Sequence, residues 1–505
     1  GTTAAPGTDT VNFTGAQKVT TGAITAEVIN ASGLTVAATG TTFSMGAAAV
    51  GVTTITGSAG ADTLVGDAKS TINGGGGKDN ITGGSGNDTL NGGDANDTIT
   101  TNAGNDTVSG GAGNDTIISA GNLSKLDVID GGDGTDTLSV TDASLTAIKA
   151  MTITEVNAFN AALTSVEGLQ TSDAWNQGTF DLGYVSGVTT VTLGAGITGA
   201  ETIAGMASGS TINMSVALSD TLTTSVTGAL GGTADTLNFN MVRNTTGTDY
   251  DAITIVDVET LNINSSEATA NAAVIANTIG IAASATITAL GGSGAAQTIN
   301  ITGTESLTVD TVMAVGTINA SGMTTVAATD AGLTMSVAHT KAQTITGSGK
   351  VDTIFASTKN DTINAGGGAD TITGSAGQDV IDGGTGTDLY TTVTSQVAAN
   401  IGGAGTGTSV GVAINLGTTA VTNATVLSKT GKDLSAQLTT LAAGSESYVF
   451  TGSSATNSSS VSTLTSIENV TLAGDGQNGV WGSAGANVIT GGAGIDYISG
   501  GAGND

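Results

Sequence analysis

The feature that most constrains this chain is a nine-residue period held without a break over residues 74–118. Its units read GGGGKDNIT, GGSGNDTLN, GGDANDTIT, TNAGNDTVS and GGAGNDTII. The sixth place is always aspartate: Asp79, Asp88, Asp97, Asp106 and Asp115. The eighth is always aliphatic: Ile81, Leu90, Ile99, Val108 and Ile117. A strict short period marks stacked supersecondary units that bury a core only by lying on one another. Outlying copies begin at Gly57, with Asp62, and at Gly131, with Asp136. A second tract over 347–391 places Asp352, Asp361, Asp370, Asp379 and Asp388 alike. A third begins at Gly482, with Asn487 in the aspartate place, then Asp496 and Asp505.

Each unit divides into a turn, GGxGxD, and a three-residue strand. The glycines permit positive φ and close approach of successive turns. The aliphatic residue points inward and stacks on its equivalents. Two units then make one coil, with a turn on each edge. Asp79, Asp97 and Asp115 should line one edge, and Asp88 and Asp106 the other. In the second tract the edges are Asp352, Asp370 and Asp388 against Asp361 and Asp379. Stacked strands lie about 4.8 Å apart. Bare carboxylates at that separation repel by roughly 3–4 kcal/mol at an effective dielectric near 20. A hard dication between the turns reverses the sign. Ca²⁺ accepts carboxylate and carbonyl oxygens in flexible geometry, whereas Mg²⁺ demands a tighter octahedron. Binding energy then becomes folding energy, and a metal-free tract should be largely disordered. A flexible linker would need neither phase nor a regular aliphatic place.

The nonapeptide resembles the RTX (repeats-in-toxin) family. That resemblance implies a parallel β-roll with several Ca²⁺ ions in its turns, export by type I secretion, and folding on meeting external calcium. The expected fold is all-β: a parallel β-roll or β-solenoid in which calcium-binding tracts alternate with Thr/Ala/Val-rich β segments. The expected metal ligands are Asp62, Asp79, Asp88, Asp97, Asp106, Asp115, Asp136, Asp352, Asp361, Asp370, Asp379, Asp388 and Asp496. Departures from the pattern mark turns expected to bind weakly or not at all. Ala95 and Lys350 replace a turn glycine, Thr101-Asn102 and Ala356-Ser357 replace the leading pair, and Asn487 replaces an aspartate.

A longer repeat lies above the short one. Residues 12–33 and 300–322 share an outline ending in NASG, and both lead through a VAAT stretch into a Gly/Asp tract. The expected segments are 1–56 (strands), 57–140 (tract), 141–255 (β-rich), 256–346 (strands repeating the first module), 347–392 (tract), 393–481 (Ser/Thr/Gly-rich sheet or linker) and 482–505 (tract). Period-two alternation predicts strands over 256–264 and 465–472. The best helix candidate is 143–169, weakened by Thr and Gly. The chain stops inside a repeat, and a longer protein is expected, with export signals outside this segment.

Composition narrows the function. Net charge is −31, with 42 acidic against 11 basic residues and Arg243 the sole arginine, so nucleic acid is not an expected partner. Cysteine is absent and His339 is the sole histidine, so an HExxH zinc site cannot form. No apolar run is long enough to span a membrane. Catalysis is not expected within this segment, and no amphipathic helical region supports a pore-forming toxin. The Thr/Ala/Gly/Val-rich, acidic, cysteine-free composition resembles RTX-type surface-layer proteins. So does the recurring phrase aliphatic–Glu–x–aliphatic, at Val258-Glu259-Thr260-Leu261 and Ile467-Glu468-Asn469-Val470. Those glutamates read equally well as solvated strand ends. The expected function is a secreted structural subunit of a bacterial surface layer that self-assembles on calcium. Its expected partners are further copies of itself and, outside this segment, cell-surface polysaccharide. A calcium-rigidified adhesin, and the RTX portion of a larger secreted toxin or hydrolase, are the alternatives.

Overall fold

The computed structural model describes residues 9–16, 18–21, 27–34, 43–45, 54–216 apart from 120 and 122, 218, 220–226, 235–243, 253–256, 258–267, 277–279, 297–309, 315–324, 331–335, 341–374, 378–392, 411–416, four short strands between 421 and 450, 461–472, 478–492 and 496–505. His339 lies outside them. The fold is an all-β parallel solenoid. It divides into two units, 1–215 and 216–505.

In the first unit, strands alternate between two parallel sheets. One sheet runs Thr10–Gly15, Val28–Leu34, Thr54–Thr56, Thr71–Gly76, Thr89–Asp94, Thr107–Ala112, Val128–Asp133 and Leu163–Thr164. The other includes Thr63–Val65, Asn80–Thr82, Thr98–Thr100, Thr116–Ser119, Thr137–Val140 and Gly168–Thr171. Three-residue strands such as Thr-Ile-Thr suffice because the middle side chain alone faces inward. Register is strict: Ile72, Leu90, Val108 and Ile129 stand opposite one another in one sheet. Leu64, Ile81, Ile99, Ile117, Leu138 and Leu169 do so in the other. All are buried. β-branched and Leu side chains fill this thin core in two facing columns.

The second unit repeats the plan. Leu237, Leu261, Ile299, Ile318, Ile345, Ile363 and Ile381 form one inward column. The module repeat is structural as well. Both copies carry a bulge at matching places, between Asn12 and Thr14 and between Asn300 and Thr302. In both, a serine hydroxyl donates to the asparagine two residues back at 2.7 Å, Ser32 to Asn30 and Ser321 to Asn319.

Four stretches depart from the expected pattern. The helix candidate 143–169 resolves into α1 (Asp142–Lys149) and α2 (Ile153–Ala162), and its remainder returns to the sheets. Thr141 caps α1, and Thr152 with Glu155 closes a capping box on α2. Leu145, Ile148 and Phe159 are buried from these helices. The strand predicted over 256–264 is broken, Ile253–Val256 ending before a corner at Val258-Glu259 and Thr260–Glu267 following it. The same break separates Val461–Thr465 from Asn469–Thr471. Within the Ser/Thr/Gly-rich stretch, Gly411–Asn415 and Ser445–Phe450 pair antiparallel, and Ser445–Phe450 pairs antiparallel with Val461–Thr465. Among the described residues no helix is long and apolar enough to cross a membrane.

Candidate metal centre

The turn aspartates form ladders along the solenoid edges. On one edge the backbone N–H of Asp62 donates to Asp79 Oδ1 (2.8 Å), that of Asp79 to Asp97 Oδ1 (2.7 Å), that of Asp97 to Asp115 Oδ1 (2.7 Å) and that of Asp115 to Asp136 Oδ1 (2.7 Å). On the other edge Ser70, Asp88 and Asp106 donate in turn to Asp88, Asp106 and Asp127. The second tract repeats this. Asp352 donates to Asp370, Asp370 to Asp388, and Asp361 to Asp379. The alternation read from the nine-residue period is therefore the edge assignment of the folded chain. Each carboxylate spends one oxygen on the coil before it.

The second oxygen decides what the turn can do. Oδ2 of Asp79, Asp97, Asp115, Asp136, Asp370 and Asp388 is buried without a hydrogen-bond partner. A carboxylate oxygen left so is costly unless a cation takes it. Beside five of them, all but Asp370, lies a carbonyl of the next coil. A Cβ placed on Gly92 would stand 2.3 Å from Asp97 Oδ2 and 2.4 Å from the Gly110 carbonyl oxygen. The same pairing recurs at Gly74, with Asp79 Oδ2 and the Gly92 carbonyl. The first glycine thus keeps open a cradle in which a carboxylate oxygen and a carbonyl meet. The second takes the left-handed conformation, as at Gly93 (φ 117°). Ala95 and Asn102, two of the departures from the glycine pattern, adopt positive φ of 76° and 63°, so these turns keep their backbone path. Oxygen-only, mixed carboxylate and carbonyl donors suit a hard, flexible cation such as Ca²⁺. Among the described residues no three His, Cys, Asp or Glu side chains converge. A cation here would draw on one aspartate per turn and on backbone oxygens.

Other turns close themselves. Ser58 N–H donates to Asp62 Oδ2 (2.5 Å) and its hydroxyl to Oδ1 (3.0 Å). Ser348 and Ser357 treat Asp352 and Asp361 the same way. Lys350, one of the replaced glycines, is buried, and its ammonium donates to the Thr304 carbonyl. Asn487 accepts from Ser483 N–H and donates Nδ2 to the Glu468 carbonyl, a neutral stand-in for the usual carboxylate.

Electrostatics follow from the stacking. Burial, opposed by the Asp62 hydrogen bond and reinforced by the charges of Asp62 and Asp97, pushes Asp79 up from 3.8 to about 8. Burial likewise lifts Asp370 to about 7, and Asp88, Asp97 and Asp352 to about 6. Asp106, Asp115, Asp136, Asp361 and Asp388 are raised for the same first reason.

Of the thirteen aspartates expected as ligands, all except Asp496 are buried at an edge. Asp496 is half-buried and accepts from Asn478. Sequence reasoning missed Asp127, which continues the second edge. A three-residue insertion moves its spacing from Asp106 to 21, although Ile129 two places on keeps the aliphatic signal. It also left the glutamates open. Glu259 is buried, and its Oε2 accepts from Asp235 N–H (2.9 Å). Glu468 accepts from Asp388 (2.8 Å), Glu167 from Asp136 (2.9 Å) and Glu201 from Gln177 (2.8 Å). They are ladder members, not solvated strand ends.

Buried carboxylates in register along a parallel solenoid, several of them beside a glycine-lined cradle, define a calcium-type β-roll. The family model of the RTX calcium-binding nonapeptide repeat (4 copies) matches residues 51–68, 70–90, 82–117, 126–140, 346–381, 355–390 and 472–505. The chain carries RTX calcium-binding nonapeptide repeats within a β-solenoid. No curated protein matches it.

Proposed function

We propose that this protein is a structural subunit of a bacterial surface layer, a secreted RTX protein that folds and self-assembles on binding extracellular Ca²⁺ and has no catalytic site in this segment. The observation that carries the reading is the regularity of the outward faces. Asn238, Asn262 and Asn300 stand on successive strands, and each amide donates to the one before at 2.8 and 3.0 Å. Thr236, Thr260, Thr298 and Thr317 form a parallel row beside them. A repeating polar face at strand spacing offers a neighbouring copy the same groups again and again, which suits lattice contacts between identical subunits. The net charge of −31 keeps metal-free chains apart, and calcium would remove that barrier. Extracellular calcium supplies the trigger, so partners other than further copies are not needed for assembly.

The test is electron microscopy of chelator-treated protein before and after millimolar calcium is added. Ordered two-dimensional sheets that dissolve again in EGTA are expected. Monodisperse particles at every calcium concentration would overturn the lattice reading and favour an adhesin.

A further inference from the structure

Both tracts that can be followed to their ends finish on the same phrase. The first reaches Thr164-Ser165-Val166-Glu167-Gly168-Leu169 and the second Thr465-Ser466-Ile467-Glu468-Asn469-Val470. An insertion separates each phrase from its tract, the helices α1 and α2 in one case and residues 393–460 in the other. The local geometry is nonetheless shared. Ser165 and Ser466 both adopt φ of 52°, two of the four non-glycine residues with positive φ among those described. In both, the glutamate Oε2 accepts the backbone N–H of the tract's last aspartate, Asp136 or Asp388. In both, that aspartate's carbonyl accepts from the glutamate and from the residue after it.

The serine carbonyls occupy a telling place. On one edge of the first tract, the carbonyl beside each leading glycine belongs to the leading glycine of the next coil: Gly92 for Gly74, Gly110 for Gly92, Gly131 for Gly110. At the last repeat no further glycine follows, and Ser165 takes the position, 1.8 Å from a Cβ placed on Gly131, with Asp136 Oδ2 at 2.6 Å. At Gly383 the corresponding distances are 2.2 Å to the Ser466 carbonyl and 2.8 Å to Asp388 Oδ2. Asp136 and Asp388 are both fully buried, and Oδ2 of each lacks a partner. The left-handed serine turns its carbonyl into the cradle, and the glutamate brings a second carboxylate to the same coil.

We infer that these phrases complete a terminal divalent-cation site in each tract, formed by the Ser165 carbonyl, Glu167 and Asp136 in one and by the Ser466 carbonyl, Glu468 and Asp388 in the other. Two carboxylates and a carbonyl are hard oxygen donors of the kind calcium takes. The phrase thus serves as a closing turn that ends the stack of repeats without leaving the last aspartate uncompensated. The inference rests on the calcium reading of the turns and is independent of lattice formation.

Native mass spectrometry of the calcium-loaded chain counts the ions directly. Glu167→Gln and Glu468→Gln should each lower the count by one, and the double variant by two. Glu201→Gln removes the same kind of glutamate from a coil whose donor is Gln177 rather than an aspartate, and should leave the count unchanged. Glutamine keeps the side-chain length and the acceptor oxygen, so the ladder bond persists. Should Glu167→Gln lose β structure all the same, recovery at about tenfold higher calcium supports the ligand role, and failure to recover at any calcium makes the glutamate purely structural and overturns it. An unchanged count in both cap variants also overturns it. A wild-type chain that holds no calcium at all would instead sink the calcium reading itself.

Discussion

The raised carboxyls predict that acid can replace calcium. Asp79 titrates near 8, Asp370 near 7, and Asp88, Asp97 and Asp352 near 6, against 3.8 for an exposed aspartate. Because the folded carboxyl keeps its proton to higher pH than the unfolded one, the folded state binds more protons between these limits. Stability of the metal-free fold is therefore complete below about pH 4 and is lost as pH rises through 6 to 8. Asp88 and Asp97 each stand about two units high. Halving that for residual solvent screening leaves about 1.4 kcal/mol apiece. Five such groups counted at the same discounted rate withdraw about 7 kcal/mol, comparable with the entire stability of an ordinary domain. Metal-exhausted protein should be largely unfolded at pH 8 and recover β structure near pH 4.5, while calcium-loaded protein stays folded throughout. Far-UV circular dichroism across that range measures it, at low protein concentration because the isoelectric point is about 4.1. A metal-free signal that is flat, or that grows with pH, would refute the argument that buried carboxylate charge is what calcium neutralises.

Two substitutions probe the parts separately. Gly110→Ala would put a methyl 2.4 Å from Asp115 Oδ2 and 2.3 Å from the Gly131 carbonyl, filling the cradle; the calcium needed for half-maximal folding should rise at least tenfold, as read by circular dichroism during titration. Ile99→Ala removes a fully buried side chain from the inward column and should cost about 2–5 kcal/mol in saturating calcium, seen as a lower midpoint in guanidinium unfolding without a change in the number of ions bound.

Much of this architecture was legible because the repeat writes its own geometry. One aspartate and one aliphatic residue per nine fix which side chains share an edge and which share the core, and the ladder from Asp79 to Asp97 to Asp115 follows directly. What escaped depends on contacts between distant residues. Asp127 is displaced by three inserted residues, and Glu468 reaches Asp388 across 80 positions. The corner at Val258-Glu259 interrupts a sequence that alternates like one strand, because turning the chain there buries Val258 while Glu259 reaches Asp235. The capping box at Thr152 and Glu155 was in plain view, and the Thr-rich surroundings hid it. The antiparallel pairing of Gly411–Asn415 with Ser445–Phe450 has no period to announce it.

These escapes point to a common device beneath the calcium sites. In coils with and without the nonapeptide, a carboxylate accepts the backbone N–H of the coil before it: Asp97 from Asp79, Glu201 from Gln177, Glu259 from Asp235. The ladder therefore does not itself require metal. The need for a cation is expected to be greatest where the second oxygen is shut away beside a glycine-lined cradle, as at Asp97, and smaller where a serine supplies its own donors, as at Asp352. Calcium sensitivity is then expected to be set turn by turn, while the aliphatic columns keep the same register through both kinds of coil. A chain built this way can hold metal-free coils folded next to metal-dependent ones, each preformed coil offering the next tract an edge on which to stack.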